Sequence, residues 1–224
     1  MAKNNIPERV ESFSFLQKHS PQIRIWHWVT FIFLTASMIT VLFASTLLEP
    51  WDNVGMVQSH LKDKGVTVTR DQAFAVSHEY EDKMWDTHKL IGYGLAFLLL
   101  SRFLIELVLS DEEKFRSRIK NAIGLYKQNQ KNKTGFRHYL LVKQSYLFFY
   151  VLLLIMTLTG LGMAFGHEFF FLGQIHEVLK TIHSIGQYFM YAFVFLHLSG
   201  VIIADIRHSK GIISGMIGGN GSQK

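Results

Sequence analysis

Four apolar stretches set what this chain can become: Ile25–Leu48, Thr87–Leu109, Ser145–Phe165 and Ile182–Ile206. A hydrocarbon layer about 30 Å thick is crossed by about 20 consecutive apolar residues in a helix, and each stretch reaches that length. Inside lipid every backbone amide and carbonyl must be paired within the segment or within a closed barrel, and barrel strands are about half as long. The stretches therefore predict an all-α fold, a four-transmembrane-helix bundle forming one integral membrane domain over residues 1–224. A hydrophobic share of 49%, with 19 phenylalanines, is too high in runs too long for an ordinary soluble domain.

The formal net charge of +6 raises the question of nucleic acid, and its distribution answers it. Residues 1–24 hold four Lys/Arg, 110–143 hold nine and 205–224 hold three. Residues 49–86 instead hold four against eight Asp/Glu, and 167–181 hold one Lys. This alternation follows the positive-inside rule for four spans with both termini cytoplasmic. The charge is topological, no nucleic-acid partner is expected, and the chain belongs in a membrane among lipid. The first run is too long for the apolar part of a cleaved signal peptide. It opens on Trp26 and Trp28, as an interfacial aromatic belt would.

Within the spans, histidine carries the chemistry. The fourth span reads HSIGQYFMYAFVFLH from His183 to His197. Fourteen residues return to within about 40° of the starting direction, so both imidazoles leave one helix face, roughly 21 Å apart along the axis. His27 lies near the cytoplasmic start of the first span and His88 near the outer start of the second. The predicted topology therefore gives two depth-matched pairs, His27 with His197 and His88 with His183. Each is able to hold a six-coordinate haem iron between helices 1, 2 and 4. Cysteine is absent, which excludes disulfides, thiolate clusters and covalent haem attachment. Two non-covalent haem b groups are the cofactors expected. Gly92, Gly186 and Gly200 each follow a histidine by one turn, where a flat porphyrin needs a missing side chain; His27 has Thr30 and Phe31 there.

Other residues are more equivocal. Arg102 and Glu106 lie one turn apart near the cytoplasmic end of the second span. Two readings stand: a mutual ion pair at the boundary, or contacts, together with Arg24, to a haem propionate or a quinone. Thr69 is placed to cap a helix running into the second span, and His60 and His78 in the same loop read as surface residues. Phe115, Ile119, Ala122, Ile123 and Tyr126 among Arg116, Arg118 and Lys120 suggest a helix on the membrane surface, with His138 a loop residue beyond it. The third span holds no histidine, and Gly160 and Gly162 there suit close helix packing, giving it the task of a wall. Residues 167–182 look amphipathic, with His176 seven residues before His183. The glycine-rich tail after residue 211 is expected to be loosely ordered at its end.

RIWHW at 24–28, HKLIG at 88–92 with Arg102 beyond it, and HSIG at 183–186 with His197 fourteen residues after His183 resemble the bacterial two-haem cytochrome b subunits. The likeness is greatest to the membrane cytochrome of nickel–iron hydrogenases, with the formate dehydrogenase cytochrome subunit and a free-standing di-haem cytochrome as relatives, and it spans roughly residues 20–217. The resemblance implies four axial ligands at His27, His88, His183 and His197. It also implies electron transfer in a respiratory chain between an outer-facing redox subunit (hydrogenase-like, iron–sulfur or cytochrome) and the quinone pool. The chain would then be the electron-transfer subunit of a quinone-linked oxidoreductase complex. A self-sufficient haem oxidoreductase acting on a small molecule is the alternative. A histidine-lined metal or proton transporter fits least, because the spans lack the acidic residues and broken helices of a midplane site.

Overall fold

The computed structural model describes residues 20–108, 114, 117, 120, 123–124, 133–166, 168–207 and 212–219. Seven helices and no strand occur among the described residues: α1 (Pro21–Ala44), α2 (Pro50–Asp63), α3 (Arg70–Val108), α4 (Lys133–Ala164), α5 (Phe170–Gln174), α6 (His176–Arg207) and α7 (Ile212–Gly218). Four of them are long and apolar enough to cross a membrane: α1, α3, α4 from Gln144, and α6 to Ile206. Few residues in these stretches are buried inside the protein, and Phe97, Leu107, Phe195 and Ile206 are among the apolar side chains left exposed, as lipid-facing surfaces require. The surface helix expected around Phe115–Tyr126 and the side chain of His138 lie outside the described residues.

The contacts divide the chain into two compact units, Trp28–Leu98 and the described residues of Met1–His27 with Leu99–Lys224. In the first unit, α1 ends where Ser45 and Thr46 turn their hydroxyls back onto the Val41 and Leu42 carbonyls. Pro50, whose fixed φ suits a first helical position, starts α2, and the Asn53 amide ties the turn by donating to the Leu47 and Glu49 carbonyls at 2.9 and 2.8 Å. The helix stops at Gly65, whose φ of +79° only glycine adopts freely. Gly65 N–H bonds the Lys62 carbonyl and Val66 N–H the Leu61 carbonyl, a Schellman closure. The segment read as an acidic loop is thus largely helical.

Thr69 caps α3 as the sequence suggested. Its hydroxyl accepts from Gln72 N–H at 3.2 Å while the Gln72 side chain accepts from Thr69 N–H at 2.9 Å. From there α3 runs 39 residues without interruption, about 58 Å at 1.5 Å per residue, nearly twice a hydrocarbon core. The charged first part of α3 receives α2 through Trp51 against Phe74, ring centroids 4.2 Å apart, with Arg70 over the Trp51 face. Farther along, a Cβ on Gly94 would overlap the Phe33 ring, so this glycine admits α1 against α3.

In the second unit α4 and α6 run antiparallel. Leu179 meets Gly162, His183 meets Gly160, Met156 meets Gly186 and Phe149 stacks on Phe193, a register in which paired residue numbers sum to nearly the same value. The glycines take side chains from the facing helix in turn, which is the close approach expected of Gly160 and Gly162. At Gly186 a Cβ would come 2.6 Å from Met156 Sδ, so its missing side chain also receives a side chain of α4. At the chain's end α7 closes on Gly219 (φ +80°), and Arg24 Nη1 donates to the Ile217 carbonyl at 3.2 Å.

Candidate functional site

The clearest geometry lies between α1 and α6 within one unit. The His27 and His197 rings have centroids 6.3 Å apart with planes inclined at 58°. A metal ion held at about 2 Å by one nitrogen of each of two opposed imidazoles separates the ring centroids by roughly 6 Å. The pair is therefore spaced as axial ligands of one iron would be. Two imidazoles with no third ligating side chain beside them among the described residues suit a metal that brings its other ligands with it, as haem would. The position one turn beyond His197 is Gly200, where an added Cβ would meet nothing within 4 Å, as flat-ring packing needs. The same openness surrounds Gly92, one turn beyond His88. Imidazole donors, their separation and the open glycine faces fit haem b.

Around this pair the second unit supplies aromatic surface. Phe193, one turn before His197, lies parallel to it within 6° at 5.9 Å between centroids. Phe149 stacks on Phe193 at 5.1 Å, and the Tyr150 ring leans on Trp26, the residue before His27, at 5.8 Å. The Tyr150 hydroxyl accepts from Arg102 Nε at 3.0 Å, while Arg102 Nη1 bonds Glu106 Oε2 at 2.8 Å. Arg102 is buried, an uncommon place for a guanidinium, and this ion pair with a phenol beside it is what satisfies it. The mutual pair foreseen as one reading of Arg102 and Glu106 is present. Arg24 is engaged with α7 through the Ile217 carbonyl.

His88 and His183 occupy different surroundings, each in its own unit. His88 Nδ1 lies 2.9 Å from Thr40 Oγ1 on α1, and Trp85 meets the ring edge-on at 5.7 Å. His183 Nδ1 lies 2.9 Å from Thr159 Oγ1 on α4. Both threonines are buried. Neither they nor Tyr150 were singled out in the sequence. A threonine in an apolar run gives no sign of a partner 48 or 24 residues away, although polar residues at membrane depth are in general candidates for work. The third span is consequently more than a wall, since it brings Thr159 and Gly160 to His183 and Tyr150 to Arg102.

The other histidines whose side chains are described, His60, His78 and His176, lie at the surface. His60 Nδ1 bonds the Met56 carbonyl, His78 sits beside Glu81 and Asp82, and His176 beside Glu177. Among the described residues no group of three or more His, Asp or Glu is placed to hold a bare metal ion. Comparison with known proteins adds a family: residues 18–219 match the model of the prokaryotic cytochrome b561 family. No curated protein and no solved structure matches the chain.

Proposed function

Since the chain belongs to the prokaryotic cytochrome b561 family, and is thereby a multi-pass bacterial membrane protein of b-type haem electron transfer, we propose that it holds two haem b groups and relays electrons across the membrane between an outer-facing redox partner and quinone. The observation that carries this reading is the 6.3 Å approach of His27 and His197, together with His183 fourteen residues before His197 on the same helix. Haem, when bound, would supply one-electron chemistry. His27 and His197 would hold one haem, and His88 and His183 the other. A fourteen-residue separation on α6 sets the two histidines roughly 21 Å apart along the helix.

Quinone is handled near Arg102, Glu106 and Tyr150. Reduction of a quinone to a quinol takes up two protons with two electrons, so the site needs a hydrogen-bond donor for the headgroup and a path for protons. The Arg102 guanidinium has five N–H donors and keeps its charge throughout, while Glu106, one turn farther along α3, exchanges protons. Tyr150 holds the guanidinium in place and joins it to Trp26 and hence to the His27 level of α1. Both chain termini face the cytoplasm, which puts this proton uptake on that side, and the α2–α3 turn faces the outer partner.

Acid–acetone extraction of the purified protein tests the haem content. Two haems per chain, all released, is the expected result; one haem, or haem retained on the denatured chain, rejects the proposal. For the quinone site, Glu106→Gln should retain both haems and slow quinone reduction. Unchanged turnover places the site elsewhere, and loss of a haem in Arg102→Gln assigns the arginine to a propionate instead.

A further inference from the structure

We propose that Thr40 and Thr159 are positioning residues, each fixing the tautomer and ring orientation of the histidine beside it so that Nε2 is the nitrogen presented to iron. The inference rests on the reading of His88 and His183 as haem ligands. It follows from counting protons at each threonine. A hydroxyl has one hydrogen to give and two lone pairs to receive with. The Thr40 hydroxyl gives its hydrogen to the Ser37 carbonyl one turn back, at 2.7 Å. The Thr159 hydroxyl likewise gives its hydrogen to the Ile155 carbonyl, at 2.7 Å. This backward bond is the usual resting place of a threonine hydroxyl inside a helix. What each Oγ1 can then offer to the imidazole 2.9 Å away is a lone pair. The ring nitrogen at that distance must be the donor, so Nδ1 carries the proton and Nε2 the lone pair.

The arrangement occurs twice, on different helices. Thr40 stands on α1 against a histidine of α3, and Thr159 on α4 against a histidine of α6. In each case the threonine is buried and its own helix uses up the hydroxyl hydrogen. Gly160 shows how closely the second is built: a Cβ there would come 3.3 Å from His183 Cε1, so a larger residue beside Thr159 would crowd the ring. A hydrogen bond accepted from Nδ1–H pushes electron density into the ring and makes Nε2 a stronger donor, which favours the oxidised iron. Loss of the bond should raise the haem potential.

The test is an optical redox titration of the full-length, haem-loaded protein in detergent, comparing Thr40→Val and Thr159→Val with Thr40→Ser and Thr159→Ser. Each valine variant is expected to shift one of the two haem components to higher potential, by roughly tenfold in its reduction constant, about 59 mV for a one-electron couple. Serine, which keeps the hydroxyl and loses the methyl, should restore it. Redox-difference infrared spectra with ¹⁵N-labelled histidine should show the imidazole ring mode move in the valine variants and return in the serine variants. Loss of haem in the valine variant alone also supports positioning. Unshifted valine variants, a shift to lower potential, or equal effects of serine and valine overturn it, the last because packing would then be the cause. His88→Ala and His183→Ala separate this failure from failure of the underlying reading: if both keep two haem components, the histidines are not ligands at all.

Discussion

The two histidines of α6 stand fourteen residues apart on one helix in unlike surroundings. His197 rests parallel on Phe193 and faces His27, so its ring is held by contact area. His183 is held by a directional bond to Thr159 on the opposing helix. Stacking restrains the plane of an imidazole and leaves its two nitrogens equivalent, whereas a hydrogen bond to one nitrogen decides which of them faces the metal. One helix therefore carries a site defined by aromatic surface and a site defined by polar partners, and the two should respond differently to the same kind of substitution.

The largest effect that separates them is ligand removal. His27→Ala or His197→Ala should abolish one component of the reduced-minus-oxidised haem spectrum, and His88→Ala or His183→Ala the other. If His27→Ala and His183→Ala erase the same component, the comparison collapses into a single site. Next is Gly160→Leu, which drives a side chain into the space of the His183 ring, whose Cε1 is already 3.3 Å from the position of a Cβ. Haem content should fall by up to one equivalent, with the His27/His197 component kept; loss of both would show that the seam between α4 and α6 supports the whole protein. Tyr150→Phe is smaller still. It removes the hydroxyl that accepts from Arg102 Nε and leaves a buried donor short of a partner, at a cost of about 1–3 kcal/mol. Turnover with quinone should slow with both haems in place, and unaltered turnover would detach Tyr150 from the quinone site. Least of all is Thr69→Ala at the start of α3, expected to lower stability by about 1 kcal/mol with no change in either haem spectrum, measured by thermal unfolding in detergent.

Much of this was legible in the residues, and for reasons that can be named. Spans declare themselves because lipid forbids long polar runs, and the His183–His197 spacing needs only helical periodicity. Thr69 was readable as a cap because a threonine followed three residues later by glutamine satisfies the first amides locally. Helix α2 was missed inside a segment whose charge drew attention first, although Pro50 and Gly65 are ordinary start and stop signals. Thr40, Thr159 and Tyr150 were beyond reach because their meaning lies in partners on other helices. Gly186 is a further case: its position after His183 fitted a porphyrin, and the spacing did not show that Met156 from the facing helix also meets it. Spacing along one helix places a residue on a face; only the neighbouring helix says what fills that face.

The uninterrupted course of α3 has a mechanical consequence. From Arg70 to His88 the helix contains neither proline nor glycine, and its first turns are fastened to α2 through Trp51 and Arg70. No usual kink point interrupts those five turns. A push on the α2–α3 turn would be carried along the helix toward His88, short of the first glycines, Gly92 and Gly94. Whatever docks on that turn has a lever on the ring that meets Thr40.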